Sequence, residues 1–145
     1  MPFVSITRLR IRSIFYLLPF FMDAARSTKQ VVRHPNFLKG KTLLDRRFTF
    51  WTMTLWDDEA GMRAYRNAGA HKKAMPRLQH WCDEASVVHW QQADDAFPEW
   101  FDAYRRMKTE GRVSKVKYPS PDHAGLQIPP PRYPSPTERI LLPKH

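Results

Sequence analysis

His71 is the residue whose type and setting best fit chemistry. Its spacing places it in line with Met75 on the apolar stripe of a predicted helix, directly after two small residues that leave space beside it. An imidazole that faces a cavity between a helix and a sheet can exchange a proton near neutral pH or ligate a haem iron. It can equally be a core histidine, hydrogen-bonded to the backbone or to a strand hydroxyl such as Thr52 or Thr54. The sequence leaves both interpretations open and makes His71 the candidate catalytic residue.

Four further side chains are candidates for contacting a ligand, and they are Trp51, Trp56, Arg8 and Met75. The tryptophans can line an aromatic pocket, although aromatic residues more often pack in a hydrophobic core or at a subunit interface. Arg8 can bind an acidic group of a ligand, or it can lie in solvent at the rim of a sheet. The expected ligand is a small apolar molecule.

Metal and phosphate chemistry have no support in the sequence. Cys82 is the single cysteine, which excludes an intrachain disulfide and a cysteine-rich zinc site. The histidines form no metal-ligand spacing with cysteines or carboxylates, so no metal site is predicted. The phosphate-binding and nucleophile motifs GxGxxG and GxSxG are absent. A lone cysteine fits a reducing compartment, and a cytoplasmic location is the expectation.

The chain is strongly basic, with a net charge of +10 and an isoelectric point of about 10.1. Its basic residues are scattered and no RNA- or DNA-binding signature appears, so nucleic acid is not an expected partner. The apolar run 14–22 follows three arginines and resembles a signal peptide, but Pro19 and the preceding strand pattern favour a folded segment. The run is too short to span a membrane, and no membrane partner is expected.

Hydrophobic periodicity predicts alternating strands and helices in the first 92 residues. The predicted elements are a strand over 3–11, a helix from Pro19 to Arg33, strands over 37–45 and 48–56, a helix capped by Asp57 or Asp58 that Pro76 kinks or splits into two, and a strand over 85–91. The strand over 48–56 carries large apolar groups on both faces, which predicts that both faces are covered.

This order of elements predicts an α+β domain of the ferredoxin-like βαββαβ type over residues 1–92. Both helices would cover one face of the sheet, and the apolar second face would pair with another copy, giving a dimeric α/β barrel. Residues 93–118 are expected to form a basic extension with a short helix. Residues 119–145 are rich in proline and are expected to form a tail without a fixed fold.

Two segments carry a family resemblance. Residues 50–59 read Phe-Trp-Thr-Met-Thr-Leu-Trp-Asp-Asp-Glu and residues 69–75 read Gly-Ala-His-Lys-Lys-Ala-Met. A strand that ends in Trp, followed by a helix with a His among small residues, resembles the antibiotic-biosynthesis-monooxygenase-like superfamily of dimeric α/β barrels. The continuation Trp-Cys-Asp-Glu-Ala over 81–85 is distantly similar to the haem-dependent spheroidene monooxygenases. The resemblance covers residues 4–90 and implies the fold more strongly than any activity.

The resemblance implies a monooxygenase-like oxidoreductase that acts on an apolar or aromatic small molecule. The alternative is a non-catalytic homodimer that binds a small ligand, with haem as one possibility. Haem-degrading members of the superfamily combine the His with an Asn on the first strand and a Trp on the second helix. The corresponding positions here are Thr7 and Ala64 or Tyr65, so only His71 matches. This departure speaks against haem degradation, and the cofactor stays unknown, with none or haem as the options.

Overall fold

The computed structural model describes residues 1–144 and contains one antiparallel sheet with helices on both faces. The strands are β1 Phe3–Ile11, β2 Phe37–Asp45, β3 Thr49–Trp56, β4 Cys82–Gln91, β5 Arg112–Val113 and β6 Arg139–Leu141. The helices are α1 Leu17–Val32, α2 Glu59–Arg66, α3 Gly69–Trp81 and α4 Trp100–Glu110. The strands lie in the order β5-β4-β1-β3-β2-β6, so the four central strands have the predicted ferredoxin-like arrangement.

Helix α1 begins after a short 3₁₀ turn and ends where the sequence predicts. Pro19 lies in its first turn, where a missing N–H costs no intrahelical hydrogen bond. Val31 and Val32 are buried against the sheet, and the helix stops before His34 and Pro35, because the residue before a proline disfavours helical geometry.

The second helical segment differs from the prediction, because its break lies at Gly69 and not at Pro76. Asp58 caps α2 by accepting a hydrogen bond from the Gly61 N–H at 2.8 Å. Gly69 then adopts a φ of +58°, a conformation that disfavours other residues, and α3 runs on through Pro76. Pro76 is exposed, so water can satisfy the carbonyl that its missing N–H leaves free.

This break changes which residues of α3 face inwards. A continuous stripe would bury Ala64, Ala68 and Met75 together, yet all three are exposed and Met75 retains 38% of its accessible surface. Ala74 is the buried residue of α3 instead. The phase of the helix is therefore set by the turn at Gly69, which the periodicity did not predict.

Both faces of β3 are covered, as the sequence predicts, and the second face is covered by the same chain. Trp51, Met53 and Leu55 have no exposed surface. Their face packs against α4 and the tail in one cluster, whose buried members are Val4, Ile6, Leu43, Trp51, Met53, Leu55, Val88, Trp100, Ala103, Met107 and Ile128. The surface expected to meet a second copy is thus occupied by α4, and pairing of two sheets through it would require α4 to move.

The proline-rich segment follows a defined course over residues 119–144, in contrast to the expected unstructured tail. Ile128 is buried in the cluster beneath α4. Further on, β6 pairs with β2, with Gly40 opposite Leu141. Prolines exclude regular pairing locally, but isolated apolar residues between them dock on a face that the rest of the chain leaves apolar. His145, the last residue of the predicted tail, lies outside the described residues.

Candidate functional site between the helices and the sheet

A row of small polar residues crosses the centre of the sheet on the face covered by α1, α2 and α3. In the strand register, Thr7 of β1 lies opposite Thr52 of β3 and Val87 of β4, and Thr52 lies opposite Thr42 of β2. All four side chains remain partly exposed, although β1 and β3 are the central strands and helices cover this face. Solvent must therefore reach the middle of the helix–sheet interface.

The next row along the strands places Ser5 opposite Thr54 and His89. We call the hydroxyl-bearing residues Ser5, Thr7, Thr42, Thr52 and Thr54 the hydroxyl floor. Apolar clusters flank this floor at both ends. One cluster contains Phe3, Val31, Val32, Phe37, Trp56 and Met62, and the other is built on Ile11, Phe20 and Cys82. The floor side chains are short and lie between the two clusters, and we call this part of the helix–sheet interface the interlayer cleft.

His71 lies in the helical layer above this face, and its hydrogen bonds fix its tautomer. Its Nδ1 is 3.2 Å from the Arg66 carbonyl oxygen. A carbonyl only accepts hydrogen bonds, so Nδ1 carries the proton and Nε2 of the neutral ring keeps a free lone pair. We find no hydrogen-bond partner for Nε2 within residues 1–144. Burial lowers the pKa of His71, and the nearby Arg66 charge lowers it further, against the opposing effect of the carbonyl.

A chain of aromatic rings connects His71 to the sheet. The centroid of the His71 ring is 4.8 Å from that of Tyr65, which in turn is 5.3 Å from the Trp56 ring. The Tyr65 hydroxyl donates to the Ser27 carbonyl at 3.3 Å, and burial raises the pKa of Tyr65, so the phenol stays protonated. Trp56 Nε1 donates to Thr54 Oγ1 at 2.9 Å, which ties the chain of rings to the hydroxyl floor.

Gln30 of α1 holds the turn that carries His71. Its Nε2 donates to the carbonyls of Tyr65 and Ala68, at 3.1 and 2.8 Å, while its Oε1 accepts from the His71 backbone N–H at 2.9 Å. A Cβ on Gly69 would lie only 3.2 Å from the Gln30 side chain, which is a second reason for glycine there. Gln30 positions His71 across 41 residues of sequence. Nothing in the local sequence pattern indicates this role.

The structure brings together only part of the predicted site. His71 and Trp56 share the aromatic chain, but Met75 is exposed, and Arg8 and Trp51 lie on the opposite face of the sheet. Tyr65 also belongs to this aromatic chain, although it was not a predicted ligand-binding residue. The family resemblance marks its position only as one at which haem-degrading members carry a Trp.

Arg8 forms a buried ion pair with Glu84, with Nη1 2.7 Å from Oε1. The second carboxylate oxygen of Glu84 accepts a hydrogen bond from Ser120 at 2.6 Å. The space beside this pair has no room for a water-sized molecule. The charge of Arg8 is therefore neutralised by Glu84 and is not presented to a ligand. Its Nε and the Ser86 hydroxyl are buried without a partner among residues 1–144.

The cavities do not favour haem. A groove of about 400 Å³ is lined by Trp90, Gln92, Pro98, Asp102, Arg105 and Arg106. Neither this groove nor the space beside Arg8 borders His71. His71 could offer Nε2 to an iron, but its ring packs on Tyr65 and neither space admits a macrocycle beside it, so we derive no step through haem. Residues 1–144 contain no group of three or more metal-ligating side chains.

Comparison with known proteins gives a family and a fold. A family model described as "Domain of unknown function (DUF3291)" matches residues 22–113. No curated protein matches the chain. None of the helices in residues 1–144 has the length and apolar character needed to cross a bilayer.

Among solved structures, the chain is similar to SnoaB, a cofactor-independent oxygenase from Streptomyces nogalater, at 16% identity and a TM-score of 0.54, covering 68% of this chain and 98% of that one. It is similar to an antibiotic biosynthesis monooxygenase at 13% identity and a TM-score of 0.57, covering 63% and 99%. A conserved protein from Methanosarcina mazei Go1 matches at 9% identity and a TM-score of 0.57, covering 64% and 94%. These likenesses confirm the predicted fold, and at such identities they show the fold alone.

Proposed function

The chain belongs to the family described as a domain of unknown function, DUF3291, and we propose that it is a monooxygenase-like oxidoreductase that binds an apolar or aromatic small molecule in the interlayer cleft. The observation that carries the proposal is the partial exposure of Thr7, Thr52 and Thr42 at the centre of the sheet, beneath helices. Side chains at such positions are normally sealed by packing. A gap between two apolar clusters, floored by hydroxyls, suits a flat apolar molecule with a few polar groups.

His71 is the proposed proton acceptor. Its Nδ1–H is held by the Arg66 carbonyl, so the basic nitrogen is Nε2. Its lowered pKa keeps the ring neutral at pH 7, which is the state required to take up a proton. Removing a proton from an acidic C–H or O–H group makes an aromatic molecule electron-rich enough to react with O₂.

The proposed reaction balances without an external reductant. For an activated methylene group, the change is CH₂ + O₂ → C=O + H₂O. Two C–H bonds break, one oxygen atom enters the carbonyl group, and the other leaves as water. The four electrons that O₂ requires come from the substrate.

Thr52→Leu tests ligand binding, and His71→Gln tests turnover. Thr52→Leu adds bulk to the hydroxyl floor and should abolish the fluorescence enhancement of anilinonaphthalene sulfonate, an apolar aromatic probe. Thr109→Leu is the matched control, because Thr109 is exposed on α4 at the opposite face. Unchanged probe binding by Thr52→Leu would place the ligand elsewhere and contradict the proposal.

His71→Gln tests the chemistry with anthrone, an aromatic ketone with an activated methylene group, in an oxygen electrode. Glutamine can still donate to the Arg66 carbonyl but cannot take up the proton, so oxygen uptake should fall by about 10²-fold or more while probe binding persists. Uptake by the variant equal to that of the wild type would refute the role of His71. Probe binding without oxygen uptake by the wild type would favour the alternative, a protein that binds a small ligand without converting it.

A further inference from the structure

The start of α1 and the turn before it expose an unusual amount of apolar surface. Phe15, Leu18 and Ile14 retain 85%, 70% and 65% of their accessible surface, and Phe21 and Met22 are about half exposed. We call these five residues the N-terminal apolar patch. Single exposed apolar residues are ordinary, but five large ones within nine positions are not.

The patch is continuous by geometry. Leu18, Phe21 and Met22 are three and four residues apart in a helix, so they lie on one side of α1. The Phe21 ring packs edge-on against Phe50 of β3, with centroids 5.3 Å apart. The turn between β2 and β3 extends the surface, because the Phe48 carbonyl accepts a hydrogen bond from the Ile11 N–H at 2.9 Å and Phe48 is itself exposed.

The rim of the patch is mainly basic, and Asp45 at the start of the neighbouring turn is only partly exposed and accepts hydrogen bonds from Trp51 Nε1 and the Arg132 N–H. Arg46 and Arg47 are exposed at the tip of the turn beside it. Arg26 lies one helical turn beyond Met22, and its side chain is 59% exposed although one nitrogen is 3.2 Å from Asp23. Asp23, the one acidic residue of α1, is buried and paired with Arg77 at 2.7 Å. The charge that this surface presents is therefore positive, in a chain with a net charge of +10.

We propose that the N-terminal apolar patch docks on the surface of an anionic lipid bilayer. Apolar side chains on one face of a helix insert into the boundary between headgroups and acyl chains, while surrounding arginines attract anionic headgroups. Helix α1 would lie in the plane of the interface, which agrees with the absence of a membrane-spanning helix in residues 1–144. A second copy of the chain fits less well, because a two-fold contact would bring both basic rims together. This surface is on the outer side of α1 and does not depend on the interlayer cleft.

The test is co-sedimentation of the full chain with vesicles of phosphatidylcholine, with and without one third phosphatidylglycerol. We expect binding to the anionic vesicles alone, and at least about tenfold weaker binding at high salt, because headgroup attraction is screened. A double substitution, Phe15→Ser with Leu18→Ser, should abolish binding without changing the melting temperature, since both side chains are exposed. Arg46→Gln with Arg47→Gln should weaken it about tenfold or more.

Phe101→Ser is the matched control, because Phe101 is 56% exposed on α4 at the other face of the sheet. This variant should bind as the wild type does. Equal binding to both kinds of vesicle, or equal losses in the control and the patch variants, would overturn the proposal. It would also be overturned if Phe15→Ser with Leu18→Ser abolished self-association in sedimentation velocity and left vesicle binding unchanged, which would assign the patch to a second copy.

Discussion

Trp100 provides the sharpest test of whether α4 is an integral cover of the sheet. Its side chain is 1% exposed, and its ring packs edge-on against Trp51 with centroids 6.4 Å apart. Its Nε1 donates to Glu138 Oε2 at 2.5 Å, which joins α4 to the C-terminal segment. Replacing a buried Trp by Ala costs about 3–5 kcal/mol, and the lost hydrogen bond about 1 kcal/mol more. We therefore expect Trp100→Ala to lower the free energy of unfolding by about 4–6 kcal/mol.

The assay is urea denaturation followed by circular dichroism, with a thermal melt in parallel. At about 2–4 °C per kcal/mol for a chain of this size, the melting temperature should fall by roughly 8–24 °C. Phe101→Ala is the control, because it removes a neighbouring aromatic of the same helix that is exposed, and it should cost less than about 1 kcal/mol. If both variants lose the same small amount, α4 does not dock on the sheet, and the apolar face would be free to pair with a second copy.

Three further outcomes follow from buried groups. Ile128→Ala should lower the free energy of unfolding in urea by about 2–4 kcal/mol, because Ile128 is buried under α4, whereas an unchanged midpoint would mean that the tail is not docked. Arg8→Met should cost about 2–3 kcal/mol in the same assay, because the buried Glu84 loses its closest cation and keeps only Arg10 at 3.2 Å and the Ser120 hydroxyl. Adding Glu84→Leu should restore part of the loss, and a double variant no more stable than the single one would contradict this account. His71 has a lowered pKa in the folded chain, so the unfolded chain binds its proton first, and stability should fall as pH drops below about 6.5, the unfolded value. His71→Gln should reduce this dependence, leaving the share of His89, whose pKa is also lowered, and a pH profile identical to that of the wild type would refute the burial of His71.

Part of the candidate site was predictable, and the rest depended on packing. The sequence singles out His71 and Trp56, because an imidazole among small residues and a Trp at the end of a strand are visible locally. It does not indicate Tyr65, which links them, since a tyrosine in a helix has no pattern that distinguishes a contact from a surface position. Met75 was predicted to lie on the buried side of its helix, and this was wrong. The turn at Gly69 determines which residues of α3 face the sheet, and Met75 is not one of them.

Local sequence determined the order of the elements and the need for a cover on both faces of β3. Alternation with a period of two, helical periodicity and the positions of proline act within about four residues, so they can be recognised from the sequence alone. Tertiary structure decided which partners meet. Arg8 finds Glu84 across 76 residues, Gln30 reaches the turn before His71 across 41, and Trp100 meets Glu138 across 38. Likewise, the apolar residues of a sheet face indicate that the face is buried, but they do not indicate what covers it. Whether a second copy or the chain's own α4 supplies that cover depends on where the chain runs after β4, which no local periodicity encodes.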